Sequence, residues 1–185
     1  MKVAVIGRNG QLASCLKEAA PQELDITFYG SDEIDVKSSD TFAPLASVDL
    51  VINCSAYTAV DKAEEFPEDA FAVNRMGVVQ LVSFCEKHCI KLIHFSTDFV
   101  FSGEGLAPHK EEDYTDPKSV YGAAKLAGEE VILQSSLSAL VIRTSWLYSA
   151  FGHNFCKTML RLGAERSELS VVNDQIGTPT SALDL

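Results

Sequence analysis

KVAVIGRNGQLA, residues 2–13, joins a short apolar run to a turn that carries two glycines. The run is rich in β-branched residues, which is typical of a buried strand in a parallel sheet. In the G-x-x-G-x-x-A spacing, Gly7 permits a tight turn, Gly10 lets backbone approach a pyrophosphate, and Ala13 lets a helix pack near the strand. The residues that follow can be helical until Pro21. Strand, glycine turn and helix in this order predict a dinucleotide-binding βαβ unit.

Predicted strands and helices continue to alternate along the chain. Apolar runs predict strands at 2–6, 25–29, 48–53, 90–96, 139–144 and a sixth at 168–172. Helical patterns fall at 14–20, 61–65, 71–87, 121–133 and 154–162. Strands that alternate with helices favour an α/β fold with a doubly wound parallel sheet of the Rossmann type.

Length and composition limit the classes of protein that fit. The 185 residues suit one domain, with 46% apolar and 22% charged residues. A net charge of −11 argues against nucleic acid as the main partner. No apolar run approaches the roughly 20 residues that span a bilayer, so no membrane association is expected. Five cysteines form no disulfide or metal pattern, and a reducing cytoplasm fits them best.

Small and polar residues follow the third and fourth predicted strands, at 54–58 and 96–98. The carboxyl ends of parallel strands are where open α/β sheets bind ligands. Asn74, in the second helical stretch, is either an amide that holds such a strand end or an exposed polar residue.

Tyr121 and Lys125 lie four residues apart on a predicted helix and therefore share one face. An ammonium beside a phenol favours the phenolate, and such a pair can act as a general acid or base. The spacing alone is common on ordinary surface helices, so its meaning depends on its surroundings.

The second predicted strand ends at Gly30, where a carboxylate that binds the adenosine ribose is expected. Without that carboxylate a 2′-phosphate is tolerated, yet no arginine stands there in sequence to hold it. The choice between NADPH and NADH therefore stays open.

Together these motifs resemble the extended short-chain dehydrogenase/reductases, and within them the enzymes that reduce the C4 ketone of dTDP-4-dehydro-L-rhamnose. The matching stretches are GRNGQLA at 7–13, NCSAYTAVDKAE at 53–64, STDFVFSG at 96–103, YGAAKLAGE at 121–129, RTSWLY at 143–148, NFCKTMLRL at 154–162 and VVNDQIGTPT at 171–180. The resemblance covers nearly the whole chain and implies a role in making dTDP-L-rhamnose for cell-surface polysaccharide.

The resemblance also implies roles for individual residues. Tyr121 would give a proton to the ketone oxygen as hydride arrives, and Thr97 would hydrogen-bond the same oxygen. Lys125 would lower the pKa of Tyr121 and hold the nicotinamide ribose. The cofactor, NADPH or NADH, would contact Gly7, Gly10, Gln11, Leu12, Asp35, Val36, Ala56, Tyr57, Thr58, Tyr121 and Lys125. The nucleotide sugar would contact Thr97, Asp98 and Trp146.

Other interpretations remain at this point. Leu12, Val36 and Trp146 are each equally explained as core residues. No metal is expected, and a homodimer is one open oligomeric state. A different nucleotide-sugar reductase or epimerase, or a non-catalytic nucleotide-binding subunit, would share the fold. We expect one Rossmann domain over 1–185 with a substrate-binding region that begins near 146, most of it lying after Leu185.

Overall fold

The computed structural model describes residues 1–105 and 107–185. Its main sheet has five parallel strands in the order β2-β1-β3-β4-β5. These strands are β1 (Lys2–Ile6), β2 (Asp25–Tyr29), β3 (Leu50–Asn53), β4 (Lys91–Thr97) and β5 (Ala139–Thr144). A separate pair, β6 (Leu147–Tyr148) and β7 (Thr180–Ser181), follows in the C-terminal part.

Six α-helices lie among the described residues. They are α1 (Gln11–Ala19), α2 (Val60–Glu65), α3 (Pro67–Phe71), α4 (Gly77–His88), α5 (Val120–Leu133) and α6 (Phe155–Glu165). A π-helical turn at Ala72–Met76 joins α3 to α4, and 3₁₀ turns lie at Ser39–Ser47 and Asp98–Val100. In the described part of the chain, no helix combines the length and the apolar character needed to cross a membrane.

Helices cover both faces of the sheet. Ala13 of α1 packs on one face against Val3 and Val5 of β1. The opposite face carries the larger core, in which residues of α4 and α5 pack on β1, β3 and β4; its fully buried members include Ala4, Val51, Val78, Leu81 and Leu92. The predicted doubly wound Rossmann arrangement is confirmed.

The strand order changes direction between β1 and β3. In an open parallel sheet this reversal opens a crevice at the carboxyl ends of the two strands, and ligands bind there. The turn after β1 and the segment after β3 therefore flank the expected binding position.

The predicted sixth strand is wrong. Residues 168–172 pair with no strand among the described residues, and Val171 and Val172 are about half or more exposed at 50% and 66%. The apolar run has the composition of a strand, but a strand also needs a neighbouring strand to pair with. In this part of the chain the pairing is between β6 and β7.

Two glycines of α5 allow the helix to lie very close to its neighbours. A Cβ at Gly122 would collide with the carbonyl oxygen of Phe99, and one at Gly128 would collide with that of Asn74. Because backbone atoms cannot move aside as a flexible side chain can, only glycine fits at either position. The close approach brings the start of α5 against the end of β4.

Replacing Gly128 with Ala is expected to lower the free energy of unfolding by about 2 kcal/mol, because the added methyl group forces α5 away from the π-helical turn. Gly163→Ala in α6 is the matched control, since a Cβ added there would meet nothing within 4 Å. That variant should gain up to about 1 kcal/mol from helix propensity. Urea denaturation measures both, and equal effects of the two substitutions would contradict the packing argument.

Candidate active site

The glycine turn after β1 is built as a phosphate cradle. Gly7 has φ +96°, and a Cβ there would lie 2.9 Å from the backbone of Cys54 and Ser55. The Gly10 N–H donates to the Gly7 carbonyl oxygen at 2.9 Å, and α1 begins directly afterwards with no side-chain cap. The first N–H groups of α1 therefore remain available for an anion.

A groove of about 310 Å³ lies beside this turn, at the carboxyl ends of β1, β2 and β3. Five of the predicted cofactor contacts line it: Gly7, Gly10, Asp35, Val36 and Ala56. Val36 is also buried to 6% exposure, so it is a core residue whose surface completes the groove. Shape and donors both fit a dinucleotide.

Four other predicted contacts have different surroundings. Leu12 is buried in a small apolar cluster with Cys15 and Ala182, which agrees with its alternative interpretation as a core residue. The Gln11 amide oxygen accepts from Ser149 and Asn154, in the segment before α6. Tyr57 and Thr58 follow β3 but are not among the residues that line the groove.

Asn74 holds the segment after β3 in place. Its side chain accepts from the Tyr57 N–H at 2.9 Å and donates to the Tyr57 carbonyl oxygen at 3.0 Å. Asn74 is 2% exposed and lies in the π-helical turn, which widens the helix locally. The interpretation of Asn74 as an amide that holds a strand end is confirmed.

Arg8 makes a contact across the end of β2 that the sequence did not reveal. Its guanidinium crosses Gly30 at the end of β2, where Nη2 lies 3.1 Å from Asp32 Oδ1 and Nη1 bonds Glu33. The expectation that no arginine stands at this position is therefore wrong. Arg8 comes from the glycine turn, 24 residues away in sequence from Asp32, so the second strand alone gave no signal.

A second group of polar side chains gathers where β4 meets α5. Ser119 accepts from the Gly122 N–H at 3.0 Å and so starts α5 immediately before Tyr121. The Tyr121 ring packs edge-on against Phe99, with centroids 5.6 Å apart. The Thr97 hydroxyl donates to Asp98 Oδ1 at 3.1 Å and accepts from the Phe99 N–H at 3.2 Å.

The surroundings of Tyr121 keep it protonated. Burial raises the pKa of Tyr121 above its ordinary value, the Thr97 hydroxyl opposes this, and the Asp98 charge raises it further. Lys125 is not among the groups that shift this pKa, so its expected lowering of the Tyr121 pKa stays a prediction. Burial also raises the pKa of Asp98, partly offset by its bond from Thr97.

Lys125 points into the sheet instead. Its Nζ donates to the Phe95 carbonyl oxygen at 2.6 Å and lies 3.3 Å from His94 Nε2. Only 2% of the residue is exposed, and burial lowers its pKa to about 8, against an upward effect of Glu129. Tyr121 and Lys125 thus lie near the same end of β4, but each contacts other residues: Tyr121 packs on Phe99, and Lys125 bonds the Phe95 carbonyl oxygen.

Trp146 stands apart from the core. It is 44% exposed with φ +45°, and its indole lies against Gly177, so the alternative interpretation as a core residue is wrong. A wider cavity of about 850 Å³ lies nearby and is lined by Asp98, Arg143, Thr144, Ser145 and Thr178 among others. The Thr144 hydroxyl is buried there without a hydrogen-bond partner among the described residues.

Known proteins agree with this geometry. The family described as the RmlD substrate binding domain matches residues 1–185. The dTDP-4-dehydrorhamnose reductase of Sinorhizobium fredii (strain NBRC 101917 / NGR234) is 45% identical over 100% of this chain and 64% of its own length. That of Escherichia coli (strain K12) is 40% identical over 98% of this chain and 63% of its own. The Bacillus anthracis str. Ames dTDP-4-dehydrorhamnose reductase in complex with NADP superposes with a TM-score of 0.95, at 37% identity, over 100% of this chain and 68% of that one.

The parallel sheet, the glycine cradle at its switch point and the Tyr–Lys helix define an α/β protein of the Rossmann type. The chain belongs to the family of the RmlD substrate binding domain. It spans somewhat less than two thirds of the length of the two curated reductases named above.

Lys125→Met is expected to raise the free energy of unfolding at pH 7 by about 2 kcal/mol. Lowering the lysine pKa from 10.5 to about 8 corresponds to a destabilisation of about 3 kcal/mol below pH 8, and losing the bond to Phe95 offsets about 1 kcal/mol. Between pH 8 and 10.5 the unfolded parent chain keeps a proton that the folded chain has lost. Parent stability therefore rises with pH, and the advantage of the variant disappears by about pH 10.

Urea unfolding of the Lys125→Met variant and the parent at pH 7 and pH 10 measures this closing difference. Lys17→Met, at an exposed position of α1, is the control and should show no such pH dependence. A difference for Lys125→Met that is constant across this range would contradict the assignment.

Proposed function

We propose that this chain is the cofactor-binding and catalytic part of an NAD(P)H-dependent reductase. Its reaction would be reduction of the C4 ketone of dTDP-4-dehydro-L-rhamnose to dTDP-L-rhamnose. The observation that carries the proposal is the meeting of Tyr121, Thr97 and Lys125 where β4 ends against α5, on the same edge of the sheet as the glycine cradle. The names of the relatives support the substrate.

The groove residues would hold the dinucleotide. The N–H groups after Gly10 would bind its pyrophosphate, because they are unsatisfied donors at the positive end of α1. Asp35 and Val36 would lie beside the adenine, and Ala56 beside the chain of the cofactor after β3. Gln11, Leu12, Tyr57 and Thr58 remain predicted contacts of the same cofactor.

The reduced nicotinamide, when bound, supplies a hydride to C4. Tyr121 gives its phenolic proton to the carbonyl oxygen, so that the C=O becomes a C–H and an O–H. A raised pKa suits this task, since the phenol stays protonated at neutral pH and transfers its proton only to the strongly basic oxygen that develops in the transition state. Thr97 would direct its hydroxyl to the same oxygen in place of Asp98, which stabilises the developing charge.

The nucleotide sugar would occupy the wider cavity beside Asp98. Its free hydrogen-bonding capacity includes the buried Thr144 hydroxyl. Trp146 would offer the exposed face of its ring to the sugar. We also propose that residues 1–185 form one Rossmann domain whose substrate-binding region begins near 146. There the chain passes from β5 of the main sheet to β6 of the separate two-stranded sheet.

Arg8 supports NADPH as the preferred cofactor. The 2′-phosphate of the adenosine would lie near Gly30, where the Arg8 guanidinium meets the carboxylates of Asp32 and Glu33. Asp32 is largely exposed, with 69% of its side chain accessible, so a phosphate can take its place on Arg8 at low cost. The complex of the Bacillus anthracis relative with NADP agrees with this choice.

The five cysteines are free thiols, which persist in a reducing compartment, and we place the protein in the cytoplasm. A homodimer remains a prediction, to be checked by light scattering.

Turnover of dTDP-4-dehydro-L-rhamnose with NADPH, followed by absorbance together with cofactor titration, tests the proposal. Tyr121→Phe should lower kcat by at least about 100-fold, because the proton donor is lost, while the unchanged groove residues still bind the cofactor. Tyr114→Phe, at a position that is 86% exposed, is the control and should leave kcat unchanged.

Near-normal turnover by the Tyr121→Phe variant would remove the assigned role. Cofactor binding by a parent chain that shows no turnover would support only the nucleotide-binding half of the proposal. Turnover with other nucleotide sugars in preference to this one would instead favour a related reductase or epimerase.

Arg8→Ala is expected to weaken NADPH binding by about 10- to 100-fold, the range of a hydrogen bond to a charged group. NADH binding should change less than about threefold, because it has no 2′-phosphate. Fluorescence titration with both cofactors measures the ratio, with Arg161→Ala on the exposed surface of α6 as control. Equal losses for both cofactors would show that Arg8 supports the turn rather than selecting the phosphate.

A further inference from the structure

A polar pair interrupts the apolar core directly beneath Lys125. Asn53 and His94 are register partners on β3 and β4, and Ile6 occupies the same row on β1. Both polar side chains are buried, at 3% and 1% exposure, in a layer that is otherwise apolar. A buried polar pair must satisfy its own hydrogen bonds, so its donors and acceptors can be assigned.

The orientation of the Asn53 amide follows from the turn after β3. Its Oδ1 accepts from the Ser55 N–H at 3.1 Å and from the Ser55 hydroxyl at 2.6 Å. The backbone N–H is a donor in every circumstance, so this atom is the oxygen and the other is the NH₂ group. Asn53 Nδ2 therefore donates to His94 Nδ1, 3.0 Å away.

This bond fixes the tautomer of His94. A ring nitrogen that accepts a hydrogen bond carries no proton, so the proton of the neutral ring lies on Nε2. The ring is neutral because burial lowers the pKa of His94. His94 consequently presents an N–H, not a lone pair, to Lys125 Nζ at 3.3 Å.

An ammonium has three donors and no lone pair, so it cannot accept this N–H. A neutral amine can accept it and still donate to the Phe95 carbonyl oxygen. The ionisable groups that face the amine are His94 on β4 and Glu129 on α5. Glu129 bonds Arg143 of β5 at 2.6–3.1 Å, and among the described residues no carboxylate pairs with Lys125.

We propose that Asn53 and His94 are positioning residues that set the protonation state of Lys125, because they turn an N–H toward its amine and so weaken its hold on a proton. Together with burial, this contact lets Lys125 lose its proton at a pKa of about 8, below the ordinary 10.5. A bound ligand with hydroxyl groups would favour the charged form of Lys125. Its hydroxyl oxygens accept hydrogen bonds from an ammonium, whereas the His94 N–H cannot. The significance for catalysis rests on the proposed reductase function, but the hydrogen-bonding state does not.

The direct test is the tautomer of His94 in the parent chain. Long-range ¹⁵N–¹H NMR correlation distinguishes the two neutral forms, and loss of the signal in His94→Gln assigns it among the four histidines. At pH 8.5 we expect the proton on Nε2. A proton on Nδ1 would overturn the proposal, because Nε2 would then accept from the lysine.

The Asn53→Asp substitution is expected to exchange the donor and acceptor roles of the two His94 ring nitrogens. Its carboxylate still accepts from Ser55 but can only accept from His94, so Nδ1 becomes the donor and Nε2 offers a lone pair to Lys125. We expect the His94 signal to change tautomer and the Lys125 pKa, followed by ¹³Cε NMR, to rise by at least about one pH unit, a tenfold gain in proton affinity. Asn173→Asp, at an exposed position, adds the same charge and should alter neither.

A Lys125 pKa that stays unchanged in Asn53→Asp, or a His94 tautomer that does not switch, would overturn the proposal. These readouts separate it from the reductase assignment. If His94 carries its proton on Nε2 but the chain shows no turnover, this inference stands and the proposed reductase function fails. Turnover together with a proton on His94 Nδ1 would do the reverse.

Discussion

Helix α5 lies so close to its neighbours that two of its positions can carry no side chain. Gly122 faces the Phe99 carbonyl and Gly128 faces that of Asn74. This approach presses the first turn of the helix onto the end of β4 and buries Lys125 against the sheet. The site depends on this direct contact between the backbone of α5 and that of its neighbours. A methyl group added at either glycine would push α5 outward, separate Tyr121 from Thr97 and expose Lys125 to water.

Burial also determines the electrostatics of the site. Tyr121 and Asp98 both hold their protons more strongly than in water, whereas Lys125 holds its proton less strongly. All three shifts have burial as their largest cause, since the charged form of each group loses hydration. Burial thus moves the pKa of each of the three groups in the direction that favours its neutral form.

The cofactor groove rests on a different constraint, the contact between the glycine turn and the backbone after β3. Gly7 occupies a left-handed conformation and leaves no room for a side chain against Cys54. The same turn directs Arg8 across Gly30 to the acidic residues after β2. One short segment therefore shapes the glycine turn beside the groove and places the Arg8 guanidinium across Gly30.

Local patterns in the sequence were sufficient for much of this fold. The runs at 2–6, 25–29 and 139–144 became strands with unchanged bounds, because each is apolar and bordered by turn residues. The glycine turn and the Tyr121–Lys125 spacing were also readable, since both depend on neighbours within a few positions. The run at 168–172 misled because an apolar pattern states a preference for burial and says nothing of a partner strand.

The sequence by itself determined the class of fold, the position of the cradle and the residues that the proposed chemistry needs. Only the tertiary structure decided what those residues touch. Arg8 meets Asp32 across 24 positions, Asn53 meets His94 across 41, and Lys125 meets His94 across 31. Such pairings depend on strand register and on the depth at which a helix packs, and both are set by the core as a whole rather than by any local stretch of sequence.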